Sequence, residues 1–151
     1  MTVRSSALGE HTPQTYAVVV ATGDSVLDEL MAFAQHRGLG TAAIGAFSSA
    51  TLGFYDLDQQ EYLEIPVEEQ VEVLTMAGDI VGSGDERKIH SHVVLGRRDG
   101  STRGGHLLSA VVRPTLEVMV AESPREIVRR HDETSGLPLI DLAASAQHTH
   151  G

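Results

Sequence analysis

The sequence predicts an α+β fold: a mostly antiparallel, twisted sheet of about six to eight strands, one main helix packed on it and a short C-terminal helix. Three observations predict it. Apolar and β-branched runs recur between turn signals along most of the chain. One segment near residues 25–36 carries apolar residues at helical spacing. Between two strand-like runs, Asp99-Gly100 marks a hairpin, and a hairpin joins neighbouring strands antiparallel.

Residues 1–14 are polar and without periodicity, a flexible N-terminus. Thr15 to Ala21 is a continuous apolar run that reads as a strand buried on both faces. Thr22-Gly23-Asp24-Ser25 supplies a turn, and Asp24 or Ser25 is placed to cap a helix over Ser25 to His36. Asp28 and Glu29 stand near its positive end, and Gly38 or Gly40 ends it. Thr41 to Phe47 reads as a strand of small residues broken by Ser48-Ser49. Ala50 to Leu57 and Glu61 to Ile65 make a hairpin exposed on one face. Gln70 to Ile80 is a long strand, and Gly82 to Asp85 is the loop after it.

Ile89 to Leu95 then reads as a strand, and Gly104 to Val112 as its return. Pro114 interrupts pairing before a last long strand, Thr115 to Ala121. Ser123-Pro124 with Glu126 fits a helix start reaching about His131. Leu137 to Leu142 is a candidate edge strand. Residues 15–142 therefore make one domain and 143–151 a flexible tail.

The histidines carry the chemistry. His90 and His92 are two apart, so on a strand their side chains leave the same face. A three-residue loop of Arg98, Asp99 and Gly100, with Gly100 left-handed, sets His92 opposite His106, and three imidazoles converge. A two-residue turn would instead pair His92 with Leu107 and send His106 to the other face. The histidine pattern argues for the first register. Gly104 and Gly105, just before His106, are structural residues at the site, letting a metal or a neighbouring subunit approach the backbone; a bulge or tight bend is the other reading.

Three neutral imidazoles without a thiolate suit zinc, and nickel, cobalt or manganese stay open because sequence does not fix geometry. A fourth position is left for water, an anion or a substrate, and a zinc-bound water ionises near pH 7. Such chemistry needs a carboxylate. Glu72 and Glu117, each between apolar neighbours in a strand, are the candidate catalytic residues, with an outward solvated face as the alternative for both. His148 and His150 repeat the spacing in a polar tail and read as adventitious, while His11, His36 and His131 read as surface residues.

Composition narrows the classes. The 151 residues, 41% of them hydrophobic, suffice for one real core. Zero cysteines exclude disulfides and thiolate sites. No apolar run approaches a membrane span, and the start of the chain lacks a basic patch and an apolar signal core, so the expected location is cytoplasmic. A net charge of −10 opposes binding to phosphate backbones. The charge is uneven, however: residues 38–86 hold no Lys or Arg, and Arg97, Arg98 and Arg103 make a basic hairpin tip. The acidic stretch Glu61, Glu64, Glu68 and Glu69 lacks the Asp/Asn/Gly spacing of a calcium loop.

The order His90-x-His92, Asp99-Gly100, Gly104-Gly105-His106-Leu107-Leu108 and Pro114-x-x-Glu117-Val118 resembles the PPC (plants and prokaryotes conserved) domain. The resemblance extends from about Tyr16 to Ile140 and includes Ile44-Gly45-Ala46, Gly78 and the Asp132 to Leu137 stretch. It implies an α+β fold, a homotrimer and a metal site of the three histidines. Family members commonly carry an Arg in or near the first strand and an Asn after the glycine at Gly78; here the first strand is apolar and Asp79 follows Gly78. The leading expectation is a homotrimeric three-histidine metalloprotein acting on a small molecule through metal-bound water. The alternatives are a DNA-binding regulatory module, as in the family's plant AT-hook proteins, and a non-catalytic assembly domain with a structural metal.

Overall fold

The computed structural model describes residues 14–34, 39–82, 87–123 and 127–147. Strands β1 (Thr15–Ala21), β2 (Leu39–Asp56), β3 (Glu61–Val67), β4 (Val71–Val81), β5 (Lys88–Gly96) and β6 (Thr102–Glu122) form one antiparallel sheet. Its order is β1-β6-β5-β4-β2-β3, and β6 also pairs with β2. That extra pairing closes β2, β4, β5 and β6 into a circuit. Helix α1 (Val26–Phe33) packs on the sheet, strands β7 (Arg129–His131) and β8 (Pro138–Ile140) pair as a small second sheet, and α2 (Leu142–Gln147) ends the described chain. The fold is α+β, as the sequence predicts.

Strand alternation divides the residues. On β5, Ser91, Val93 and Leu95 are buried, while Lys88, His92 and Val94 face outward. Val26 and Leu30 of α1 join Phe47, Leu52, Leu95, Leu116 and Val118 in one core cluster. Burying a side chain of this size stabilises by about 1.5–3 kcal/mol relative to leaving it exposed. Among the described residues no helix is long and apolar enough to cross a membrane.

Several expectations are corrected. β1 is an edge strand, so of its residues only Val20 is buried and Val19 lies open. The break expected at Ser48-Ser49 is absent, because shifts of register on either side of Phe47 absorb the irregularity and β2 runs on to Asp56. Likewise β6 passes through Pro114 unbroken. Between the Gly45↔Leu116 and Phe47↔Val112 pairs the register slips, and Arg113 to Thr115 are accommodated there. Ser25 takes the extended N-cap conformation, yet no side-chain cap hydrogen bond forms. The turn is held by backbone instead, with the Gly23 N–H donating to Val112 O and the Val112 N–H to Asp24 O.

A helix reaching His131 does not form: residues 129–131 are strand β7, and the short C-terminal helix is α2, inside what reads from sequence as tail. The Asp141 carboxylate accepts the Ala143 and Ala144 N–H groups, starting that helix. Gly38, residues 83–85 of the expected loop, and Pro124 to Glu126 lie outside the described residues.

Candidate metal centre

The floor of the site is the β5–β6 hairpin. At its turn the Arg97 N–H donates to Ser101 O at 2.9 Å and the Gly100 N–H to Arg97 O at 2.9 Å, with Gly100 at φ 80°. Asp99 Oδ1 accepts the Ser101 N–H. This is the three-residue loop with a left-handed glycine, and it pairs Gly96 with Thr102 and His92 with His106. His90 precedes His92 on the same face. Ring centroids stand 5.1 Å apart for His90 and His92, 5.2 Å for His90 and His106, and 5.4 Å for His92 and His106. One donor atom from each ring lies within 4.8 Å of the others.

Two glycines make the convergence sterically possible. A Cβ on Gly78 would stand 2.2 Å from His90 O and 2.7 Å from Ser91 Cα, so only glycine lets β4 come this close to β5 behind the site. A Cβ on Gly53, which pairs with His106, would meet the Tyr62 ring at 2.7 Å. The vacant space lets Tyr62 lean over His106, ring centroids 4.9 Å apart. Gly105 stands at a tight packing site: its Cβ would reach Gly53 O at 2.9 Å, so it also serves the β2–β6 approach within the chain.

Electrostatics keep two of the imidazoles neutral. Burial, then the neighbouring His90 and His92, push His106 down to about 4. Burial and the Arg129 charge lower His90, against an opposing pull from Asp79. Neutral imidazole is the form that binds a metal.

Above the floor opens a cavity of about 640 Å³. Its walls include Phe54 and Tyr62 from the β2–β3 hairpin and Leu137, Pro138 and Leu139 from the small sheet. That small sheet is tied down on both sides. The Tyr55 hydroxyl donates to Ser135 O and Gln60 Nε2 to Thr134 O. Arg129 Nη2 donates to Asp79 Oδ2 at 2.8 Å and Nη1 to Pro138 O at 3.0 Å. Asp79 in turn is the cross-strand partner of His90.

The expected carboxylates are not brought to the histidines within the chain. Glu72 shares the histidine face but pairs with Gly96, four residues along β5 from His92, about 13 Å away at the rise of a strand. There it lines a groove with Glu69, Arg97 and Arg98. Glu117 pairs with Val19 and Ile44 and lines a separate, apolar depression with Leu74 and Met119. His131 is exposed; His11, His36, His148 and His150 lie outside the described residues. The basic tip is partly matched, since Arg97 Nε bonds Glu69 Oε1 at 2.6 Å. Missed from sequence were Lys88, Arg129, Tyr62, Asp79 and Gly53. Lys88 alone was within reach of strand periodicity, being two residues before His90 on the same face.

A barrel-like antiparallel circuit that turns three imidazoles into a half-enclosed cavity defines a sheet domain with a candidate metal-binding floor. Residues 9–124 match the Plants and Prokaryotes Conserved (PCC) domain, also abbreviated PPC, and the chain belongs to that family. Solved structures agree. A metal-containing protein of Archaeoglobus fulgidus is 30% identical, with 93% of this chain and 99% of that one covered and a TM-score of 0.79. A putative DNA-binding protein of Bacteroides thetaiotaomicron is 27% identical over 85% of this chain and 92% of its own, TM-score 0.81. A PPC protein of Pyrococcus horikoshii is 26% identical over 85% and 91%, TM-score 0.78. No curated protein matches the sequence.

Proposed function

We propose that this chain is a homotrimeric metal-binding PCC-domain protein. His90, His92 and His106 hold zinc or another divalent transition metal, and the adjoining cavity admits a small molecule to it. The observation that carries this reading is the three imidazole donors within 4.8 Å of one another. Tetrahedral zinc at Zn–N of about 2.0–2.1 Å sets its ligand nitrogens about 3.4 Å apart, so small side-chain rotations suffice.

The surroundings fit an ion. His106 Nδ1 and Asp79 Oδ1 are buried without a hydrogen-bond partner. A metal-bound histidine commonly donates a hydrogen bond from its second ring N–H to a carboxylate, and Asp79 stands opposite His90. A metal held there supplies a Lewis acid with an open coordination position. The protein's own residues do the rest: the hairpin fixes the donors, Tyr62 packs over His106, and Phe54 and Leu139 add apolar lining to the cavity. The metal-containing relative supports the reading.

Assembly is supported by the outer sheet face, where Val19 (68% exposed), Ile44 (74%), Leu74 and Met119 surround Glu117. Any part Glu117 takes therefore belongs to the assembled trimer. The DNA reading, which the names of two relatives raise, is weakened by Glu69 and Glu72 beside Arg97 and Arg98 and by the net charge of −10.

Elemental analysis of purified protein is expected to find about one metal per chain, falling to background in His92→Ala; a His at a three-ligand site should matter more than the 10–100-fold typical of outer-shell losses. Equal metal content in both proteins sinks the reading. Sedimentation is expected to give three times the chain mass, and Ile44→Glu a single chain.

A further inference from the structure

The cavity's lining holds a second specificity. Lys88 and Arg129 both face it and no carboxylate does, although the chain carries 21 Asp and Glu against 11 Lys and Arg. Asp79 sits behind Arg129, anchoring it without lining the space. With both terminal nitrogens engaged, the guanidinium is fixed at the wall, and its Nε is buried without a partner. Neutral histidines would leave a bound divalent ion its full charge. The lining also carries apolar surface from Phe54, Leu137 and Leu139, the last two flanking the Pro138 carbonyl that Arg129 holds.

We propose that this cavity binds a small carboxylate with an apolar body, the carboxylate set between the metal position, Arg129 and Lys88 and the body against Phe54, Leu137 and Leu139. The inference rests on the metal reading above and names the ligand of that site. A carboxylate fits better than a phosphate. Polyanions are usually held by helix N-termini or clustered backbone N–H groups, and neither α1 nor α2 contributes to the lining. A volume near 640 Å³ lies within the range of small-molecule sites.

Benzoate, its neutral isostere benzamide, and inorganic phosphate titrated into the cobalt-loaded protein test the proposal, read by the cobalt visible spectrum and by amide resonances of Gly105 and Leu139. Benzoate is expected to bind at least tenfold tighter than either of the others. Arg129→Gln and, independently, the exposed Lys88→Gln are expected to weaken benzoate several-fold to tenfold while cobalt stoichiometry holds in both and melting temperature holds in Lys88→Gln; Arg129→Gln, which loses its ties to Asp79 and Pro138, is expected to melt lower. Lys88→Gln decides the matter if Arg129→Gln fails to fold. Benzamide or phosphate binding as tightly as benzoate, or benzoate affinity unchanged in a folded variant, overturns the proposal. A parent protein that takes up no cobalt overturns the metal reading instead. In that case amide shifts with benzoate in the metal-free protein, weakened by Lys88→Gln, uphold the anion site, and their absence removes it.

Discussion

The two ends of the β5–β6 hairpin share one face of one sheet and differ in what they do with their polar residues. At the far end Arg97 and Glu69 meet in solvent and Glu72 stands beside them, so opposite charges cancel at an open groove. At the near end burial holds His90 and His106 neutral, and the three donors come from alternate positions of β5 and the facing position of β6, beneath a wall of the small sheet. Charge in water is screened and contributes little, whereas neutral donors withdrawn from water are free to take up an ion. Cover, more than polarity, separates a site from a surface.

The largest test of that contrast is Gly78→Ala. Its Cβ would drive into the β5 backbone at His90, and such overpacking typically costs 1–3 kcal/mol, so a loss of about 3 kcal/mol is expected by denaturant midpoint together with weakened metal uptake. A wild-type midpoint and full metal content would show that the close approach is dispensable. A smaller effect is expected from pH in metal-stripped protein. His106 has its folded value near 4, below the ordinary 6.5, so the unfolded chain takes the proton first as pH falls. The contribution of His106 to stability is then complete above about 6.5, declines between 6.5 and 4, and is flat below. His106→Asn is expected to lose that slope in melting temperature measured across the same range, and an unchanged slope would move its origin elsewhere. The least effect belongs to Arg97→Ala at the open end, expected to leave melting temperature and metal content as in the parent protein; a clear loss of either would give the tip a role the comparison denies it.

How much of this was legible depended on the range of the interaction. The histidine register rests on the seventeen residues from His90 to His106, a stretch of local code: the His-x-His spacing and the turn chemistry of Asp99-Gly100 agree, and the hairpin forms as both require. Helix α1 was legible for the same reason, through its apolar stripe and its acidic first turn. What failed was long-range. Bulges let β2 and β6 run through Ser48-Ser49 and Pro114, where local signals say stop. Arg129 reads as part of a helix until its strand partner at Ile140 is known, and Tyr62 reads as one face of an exposed hairpin until Gly53 makes room for it. Glu72 was on the expected face at the wrong distance, a difference that periodicity alone does not resolve.

The order of these parts along the chain has a consequence for how the protein is made. All three donors are spelled out by residue 106, while Arg129 and the Leu137–Leu139 wall follow at least 23 residues later. A ribosome working from the N-terminus therefore delivers the floor before the roof. Were the three histidines to hold an ion, the small sheet that covers it would be the last part of the site to be synthesised.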